Sequence, residues 1–271
     1  NAEHAEQALR AGIDMLWIGA RTTVNPFYVQ EIADALKGVD IPVFVKNPIH
    51  PEVKLWLGAI ERISNAGTKQ VAAIHRGFYA YQSQPFRNEP KWEVVFEMRR
   101  LMPNLPIVCD PSHIAGKSEL IREVCQSALD LGLDGFMIES HLNPAKALSD
   151  PEQQVTPSHL KQIFDQLEAR QDALADQKQI SRLEELRAEI DGLDSSLLDT
   201  LRKRIDIVAK IGPVKYENNL TIFQMKRWFK VLESRKQLGK KINLDAEIVH
   251  ELFQLIHKYS IDVQINSKQS T

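Results

Sequence analysis

Short apolar runs alternate with longer amphipathic segments through the first half of the chain. The runs at 15–18, 42–45, 71–74, 107–109 and 135–138 predict strands, and the segments between them, such as 53–65 and 118–131, predict helices. Repeated strand–helix units predict a parallel sheet, either open and doubly wound or closed into a barrel. The chain has neither Gly-x-Gly-x-x-Gly nor a P-loop, which argues against the nucleotide-binding form.

From residue 158 onward the pattern is helical only. The polar segment 158–179 predicts a last helix of the first domain that continues into a solvated linker. Three further helices are predicted at 182–211, 222–238 and 245–265, where apolar residues recur at helical spacing. We therefore predict two domains, 1–175 and 176–271.

Composition is typical of a soluble globular protein. The 271 residues are 43% hydrophobic, carry a formal net charge of −2, and contain no apolar run that approaches the roughly 20 residues of a membrane span. The first residues lack the features of a signal peptide, and near-neutral charge gives no general case for nucleic-acid binding. Cys109 and Cys125 lie in core-like segments, which favours a reducing cytoplasm.

Polar clusters follow the later strand candidates. They are Asp-Pro-Ser-His at 110–113, Glu-Ser-His at 139–141 and Ala-Leu-Ser-Asp at 147–150. Enzymes with parallel sheets hold their chemistry just beyond strand ends, and one histidine with two carboxylates is a suitable ligand set for manganese, iron or zinc. A lone histidine or aspartate at a strand end is more often structural, so the prediction depends on the order and spacing of the set.

Further motifs make the set specific. Together with those clusters, the segments 18–21 (Ile-Gly-Ala-Arg), 45–46 (Val-Lys) and 75–77 (His-Arg-Gly) resemble the ordered motifs of type I 3-deoxy-D-arabino-heptulosonate 7-phosphate (DAHP) synthases of the beta form. Residues 183–264 resemble the all-helical AroQ class of chorismate mutase. The resemblance implies a TIM (β/α)8-type barrel, incomplete with about five βα units, followed by a three-helix mutase domain that dimerises.

The resemblance also implies roles in the barrel. Arg21, Lys46 and Arg76 would bind phosphoenolpyruvate, because the phosphate and carboxylate of this substrate require fixed cations. Lys46 would also be a catalytic residue. The other substrate would be erythrose 4-phosphate. The implied metal ligands are His113, Glu139 and Asp150, and the implied ion is Mn²⁺, with Fe²⁺, Co²⁺ and Zn²⁺ as alternatives. For each cation taken alone, the alternative is a solvated charge at a strand end.

The barrel pattern departs from the family at the beginning of the chain. A closed barrel needs eight βα units, so about three are expected to be absent, together with the family's cysteine metal ligand and much of its erythrose 4-phosphate site. Cys109 lies within a strand candidate and is expected in the core. If the molecule begins at Asn1, we expect the barrel to be open and the synthase activity to be absent.

The helical half can be interpreted from the chemistry of chorismate rearrangement. This intramolecular pericyclic step needs no nucleophile or general base, only a compact conformer and stabilised charge on the ether oxygen. Arg187 and Arg204 lie 17 positions apart on one predicted helix, about 26 Å at 1.5 Å per residue. One chorismate cannot contact both, so a site that uses both must take one from a second chain. Arg204 and Lys215 share one helix face, and Ser260 and Gln264 share another.

Here too the resemblance implies specific roles. Arg187 of a second chain and Arg204 would bind carboxylates, and Lys215 and Gln264 would donate to the ether oxygen. The catalytic residues would be Arg204, Lys215 and Gln264. Ser260 and Arg227 would complete the pocket.

Two local features depart from this family. Pro213 interrupts the predicted helix, so we expect a kink to place Lys215. Trp228 stands where many relatives have a glutamate that binds the substrate hydroxyl, and Gln224 replaces another frequent acid.

Three hypotheses follow for the whole chain. The first is a bifunctional enzyme of the shikimate pathway that forms DAHP and converts chorismate to prephenate, with prephenate feedback on the synthase. In the second, the helical domain is a non-catalytic regulatory module that binds prephenate or chorismate. In the third it only dimerises, although inward-facing cations have no use in a dimer core. Each predicts a homodimer through the helical domain, or a higher assembly, with neither nucleic acid nor membrane as partner.

Overall fold

A computed structural model describes residues 1–81, 84–170 and 176–267. The chain divides into two compact units, Asn1–Asp172 and Ala173–Thr271, which are described separately. The first unit alternates strands with helices, and the second contains helices only within its described residues. No helix in the described part of the chain is both long and apolar enough to cross a membrane.

Five parallel strands form the sheet of the first unit. They are β1 (Leu16–Ile18), β2 (Val43–Lys46), β3 (Val71–His75), β4 (Ile107–Cys109) and β5 (Gly135–Phe136). Their order in space equals their order in sequence, with Val45 opposite Ala73 and Ala73 opposite Ile107. Parallel strands in sequential order form the wall of a barrel, whereas in a doubly wound sheet the order of the strands reverses at a switch point. The predicted strands are confirmed, with ends that differ by one or two positions.

Eight helices accompany these strands within the described residues. They are α1 (Ala2–Arg10), α2 (Ala20–Thr23), α3 (Pro26–Ala35), α4 (Val53–Asn65), α5 (Trp92–Leu101), α6 (Pro111–Ala115), α7 (Ile121–Asp130) and α8 (Pro157–Asp165). The helix predicted at 118–131 is instead a 3₁₀ turn, Ser118–Leu120, followed by α7.

The segment 158–179, predicted as a last helix that continues into a linker, begins with α8. Helix α8 ends at Asp165. The chain after it is held against α7, because the Gln126 side chain bonds the Glu168 backbone in both directions and Arg170 pairs with Asp130 at 2.8 Å. Residues 171–175 of the predicted linker lie outside the described part of the chain.

The core of the first unit lies between the sheet and helices α3, α4, α5 and α7. Trp56 of α4 is fully buried, and its Nε1 donates to the carbonyl of Val45 at 3.0 Å, which fixes α4 on β2. Burying each large apolar side chain contributes about 1.5–3 kcal/mol to folding. Cys109 and Cys125 are both buried free thiols, as predicted for core residues.

The second unit contains three helices in its described residues: α9 (Gln177–Glu217), α10 (Met225–Lys241) and α11 (Ala246–Asn266). Helix α11 packs against both others. Gly212 permits the close approach of α9, because a Cβ there would collide with Ser267 and the backbone oxygen of Gln264. Helix α9 passes through Pro213 and ends four residues later, so the proline does not terminate it.

The first half of α9 carries an exposed apolar stripe. Its members recur at alternating spacings of three and four residues: Leu183, Leu186, Ile190, Leu193 and Leu197. Each is between 38% and 70% exposed. This spacing is typical of a helix seam that packs against another helix.

Candidate active sites

Side chains from four successive strand ends surround one cavity in the first unit. Arg21 lies in α2 after β1, Lys46 ends β2, Arg76 follows β3, and His113 lies in α6 after β4. With Asp150 these residues line a cavity of about 260 Å³. Five of the six residues predicted for the barrel site therefore lie around one space, at the carboxyl-terminal ends of the strands.

Two asparagines hold Arg76 in place. The side-chain oxygen of Asn47 accepts from the backbone N–H of Arg76 at 2.7 Å, and Arg76 Nη1 donates to Asn88 Oδ1 at 3.2 Å. Asn88 in turn donates to the carbonyl of His113 at 2.6 Å. The position of Arg76 is thus fixed from both its backbone and its side chain.

Positive charge is concentrated at this cavity. Burial lowers the pKa of Arg76, and the charges of Arg87 and Arg21 lower it further, against the opposing influence of Asp110 and Asp150. Like charges around one cavity repel one another, and a bound anion relieves that repulsion. The cavity is therefore suited to a ligand that carries negative charge.

Asp110 links the cationic side of the cavity to the histidine side. Its buried carboxylate accepts from Lys46 Nζ at 2.7 Å and lies 2.8 Å from His113 Nδ1. Burial alone would raise the pKa of Asp110, but the His113 hydrogen bond and the charge of Lys46 outweigh it and hold the pKa below its ordinary value. A hydrogen bond from Nδ1–H to Asp110 leaves the Nε2 lone pair of His113 available to a metal ion.

The three predicted metal ligands are only partly assembled. His113 Nε2 lies 3.8 Å from Glu139 Oε1, too long for a hydrogen bond but short enough for both atoms to reach one ion. Asp150, in left-handed backbone conformation with φ 43°, instead accepts from Arg87 Nη1 at 2.9 Å. Within the ranges that the structure describes, no group of three or more His, Cys, Asp or Glu residues already forms a metal site. A bound ion would therefore share the Asp150 carboxylate with Arg87 or displace Arg87 from it.

Arg87 is a member of the site that the sequence did not suggest. It donates to both Asp150 and Gln153, and Gln153 donates to Glu139 Oε2 at 2.7 Å. Gly116 makes room for it, because a Cβ at that position would collide with the Arg87 side chain.

In the second unit, polar side chains of α9 meet α11 and the segment before α10. Arg204 Nη1 donates to Ser260 Oγ at 2.6 Å, and Lys215 Nζ donates to the carbonyl of Ile222 at 2.6 Å. Gln264 is buried, and its Nε2 donates to the Ser260 carbonyl at 3.1 Å. Burial lowers the pKa of both Arg204 and Lys215.

The two other predicted arginines are not drawn into this cluster. Arg187 and Arg227 are both exposed. Since α9 is one helix through both positions, Arg187 and Arg204 remain about 26 Å apart. A second chain is thus needed if Arg187 is to join the site.

The sequence did not point to His257, which also lies at this cluster. Its ring stacks on that of Trp228, with centroids 4.0 Å apart and planes inclined by 12°. Gln224, the other departure from the family, precedes α10 without a capping bond from its side chain.

A wall of sequential parallel strands with a cationic cavity at the carboxyl ends belongs to the TIM-barrel class. The chain belongs to the DAHP synthetase I family, whose model matches residues 3–175. It is 29% identical over 161 residues to phospho-2-dehydro-3-deoxyheptonate aldolase of Thermotoga maritima, an alignment covering 59% of this chain and 46% of that protein. A solved truncated DAHP synthase from the same organism matches with a TM-score of 0.52 at 26% identity, covering 59% of this chain and 58% of that one.

The helical unit matches a second family. Residues 186–265 fit the model described as chorismate mutase type II. Over 78 residues the chain is 40% identical to a bifunctional chorismate mutase/prephenate dehydratase of Buchnera aphidicola, covering 29% of this chain and 20% of that protein. It is 33% identical over 76 residues to 4-amino-4-deoxychorismate mutase of Streptomyces venezuelae, covering 28% of this chain and 74% of that protein. Both predicted families are thereby confirmed.

Proposed function

We propose that the first unit binds phosphoenolpyruvate and condenses it with erythrose 4-phosphate to form DAHP. The observation that carries this proposal is the cavity in which Arg21, Lys46 and Arg76 converge. Guanidinium groups bind phosphate and carboxylate oxygens in pairs, so Arg21 and Arg76 would hold the phosphate and Lys46 would meet the carboxylate. The chain spans less than half of its synthase relative from Thermotoga maritima, so the activity of the whole enzyme remains part of this proposal.

We further propose a divalent metal, with His113, Glu139 and Asp150 as ligands. The donor set fits: a histidine fixed by Asp110 presents Nε2 toward Glu139, and Asp150 lies at the same cavity. Mn²⁺ suits one imidazole and two carboxylates, with Fe²⁺, Co²⁺ and Zn²⁺ as alternatives. When bound, such an ion supplies Lewis-acid polarisation of the aldehyde.

Binding measurements test this part directly. Calorimetry on the purified chain should detect phosphoenolpyruvate and Mn²⁺, and Arg76→Met should lose the first ligand while retaining the second. His113→Ala should show the opposite pattern. The matched control is His159→Ala, a histidine in α8 away from the cavity. If phosphoenolpyruvate bound equally well to Arg76→Met, the assignment of this cavity would be wrong.

We propose that the second unit rearranges chorismate to prephenate. Arg204, held by Ser260, would bind a carboxylate, and Lys215 with Gln264 would stabilise charge on the ether oxygen. Arg187 would enter from a second chain, with Arg227 at the rim. The exposed stripe from Leu183 to Leu197 supports a homodimer, because an identical helix packed along it would bury the stripe and bring Arg187 to the partner's pocket.

Mixing two inactive variants tests the shared site. Arg187→Ala and Lys215→Ala should each lose mutase activity. After unfolding and refolding together, the mixed dimer has one site with both residues intact, so activity should return to about a quarter of the wild-type rate by random pairing. Mixed chains that stayed inactive would contradict the exchange of Arg187.

We propose that prephenate bound to the helical unit slows the synthase, and that the protein acts in the cytoplasm. The buried free thiols of Cys109 and Cys125 support a reducing compartment. The helical unit could instead bind prephenate or chorismate without turnover. Chorismate turnover separates the two: a catalytic unit converts it, and a purely regulatory one only binds it.

A further inference from the structure

One face of α11 presents three polar side chains to the second unit's cluster. His257, Ser260 and Gln264 lie at i, i+3 and i+7, which places them on one side of the helix. Ser260 accepts from Arg204, and Gln264 donates back to the Ser260 carbonyl. His257 extends this row by one turn toward the beginning of the helix.

The His257 ring is held in place by aromatic neighbours rather than by hydrogen bonds. Trp228 stacks on it, and the Phe223 ring lies 5.8 Å away, centroid to centroid. Its Nε2 is buried and has no hydrogen-bond partner among the described residues. A buried polar atom without a partner is costly, so a ligand that supplies one gains affinity there.

The charges around His257 define which ligand group suits it. Burial lowers its pKa, and the nearby cations Arg204 and Lys215 lower it further. The imidazole is therefore neutral near pH 7, with one N–H donor and one acceptor nitrogen. A neutral imidazole beside two cations complements a hydroxyl, which both donates and accepts, better than it complements an ammonium group.

Chorismate has one such group besides its carboxylates and ether oxygen: the hydroxyl on its ring. We propose that His257 hydrogen-bonds this hydroxyl through Nε2 and so determines the specificity of the pocket, a role that rests on the proposed mutase function. Trp228, at the position where an acid would bind the hydroxyl, instead fixes the imidazole by stacking. Among the described residues, this side of α11 holds two further buried atoms without partners: Gln264 Oε1, whose amide nitrogen donates to the Ser260 carbonyl, and His250 Nδ1, two turns before His257.

The test compares two substrates on His257→Phe, which keeps an aromatic ring against Trp228. With chorismate, kcat/KM should fall about 10-fold or more, as expected when a buried hydrogen bond is lost. With a chorismate analogue whose ring hydroxyl is replaced by hydrogen, wild type and variant should differ by less than about twofold. Tyr259→Phe, which changes an exposed aromatic ring on α11, is the matched control and should behave as wild type with both substrates.

Each contrary outcome has a definite meaning. Equal losses with both substrates would show a packing role and overturn the proposal, as would no loss with either. If His257→Phe fails to fold, His257→Gln can be used, because its amide retains a donor and an acceptor. This variant should keep chorismate turnover within about threefold of wild type. A larger loss of chorismate turnover in His257→Gln would contradict the hydroxyl contact. If wild type does not convert chorismate, the mutase function fails separately, and the contact is then judged by prephenate affinity, which His257→Phe should weaken.

Discussion

The Lys46 ammonium at the end of β2 and the Asp110 carboxylate after β4 form a buried ion pair across the end of β3, with Nζ 2.7 Å from Oδ2. The same carboxylate orients His113. Asp110→Asn would leave the Lys46 charge without its counter-ion, so the free energy of unfolding should fall by about 3–5 kcal/mol. Urea denaturation measures this. Asp165→Asn removes an exposed partner of Lys161 and should change stability little. Equal stability of both variants would show that the buried pair contributes nothing.

Lys215 gives the second prediction, because it is the ammonium closest to the segment before α10. Removing one preorganised donor to developing charge typically costs about 100- to 1000-fold in turnover. Lys215→Ala should lose this much kcat for chorismate and remain dimeric. Lys210→Ala, an exposed lysine on the same helix, serves as the control. Wild-type turnover by Lys215→Ala would show that another group stabilises the ether oxygen.

The third prediction is that the burial of His75 makes the stability of the fold depend on pH. Trp56, Phe78 and Trp92 surround its fully buried ring, and burial lowers its pKa to about 3. The unfolded chain, with an ordinary histidine pKa near 6.5, binds the proton more readily. Stability from neutral His75 is therefore complete above about pH 6.5 and is lost toward pH 3, with a slope of up to about 1.4 kcal/mol per pH unit.

The His75→Phe variant isolates this slope. Between pH 6.5 and pH 4 its free energy of unfolding should decline less steeply than that of wild type, by up to one proton's contribution. Thermal unfolding across this range gives the comparison. Parallel curves for the two proteins would mean that folding leaves the pKa of His75 unshifted.

The last prediction concerns communication between the two units. A ligand shifts a domain arrangement only through different affinities for two arrangements. Prephenate should therefore inhibit DAHP formation and compact the particle in X-ray solution scattering. Both effects should disappear in Arg204→Ala. Unaltered synthase rate and scattering at saturating prephenate would leave co-localisation as the role of the fusion.

Sequence alone could place the cations at one end of the sheet. Arg21, Lys46 and Arg76 each follow a β-rich run, and parallel strands bring their carboxyl ends to the same edge. Arg87 could not be found in this way, because its position depends on a long connection between β3 and α5. That connection is fixed by tertiary contacts, among them the bond from the Arg87 amide to the Ile114 carbonyl at 3.0 Å.

The helical site, too, could be predicted from the sequence only in part. The faces shared by Arg204 with Lys215 and by Ser260 with Gln264 follow from helical spacing alone. The stack of His257 on Trp228 does not, since it depends on how α10 and α11 align along each other. Periodicity within one helix carries no information about that alignment, and a histidine within an apolar helix would ordinarily be assigned to the core.

The stack of Trp228 on His257 also provides an optical signal. The chain has four tryptophans, and the other three, Trp17, Trp56 and Trp92, belong to the first unit. In a chain with those three replaced by phenylalanine, indole emission would come from the helical pocket alone. A ligand that enters beside His257 would change the surroundings of that indole, so pocket occupancy could be followed by fluorescence in real time, without a label and without turnover.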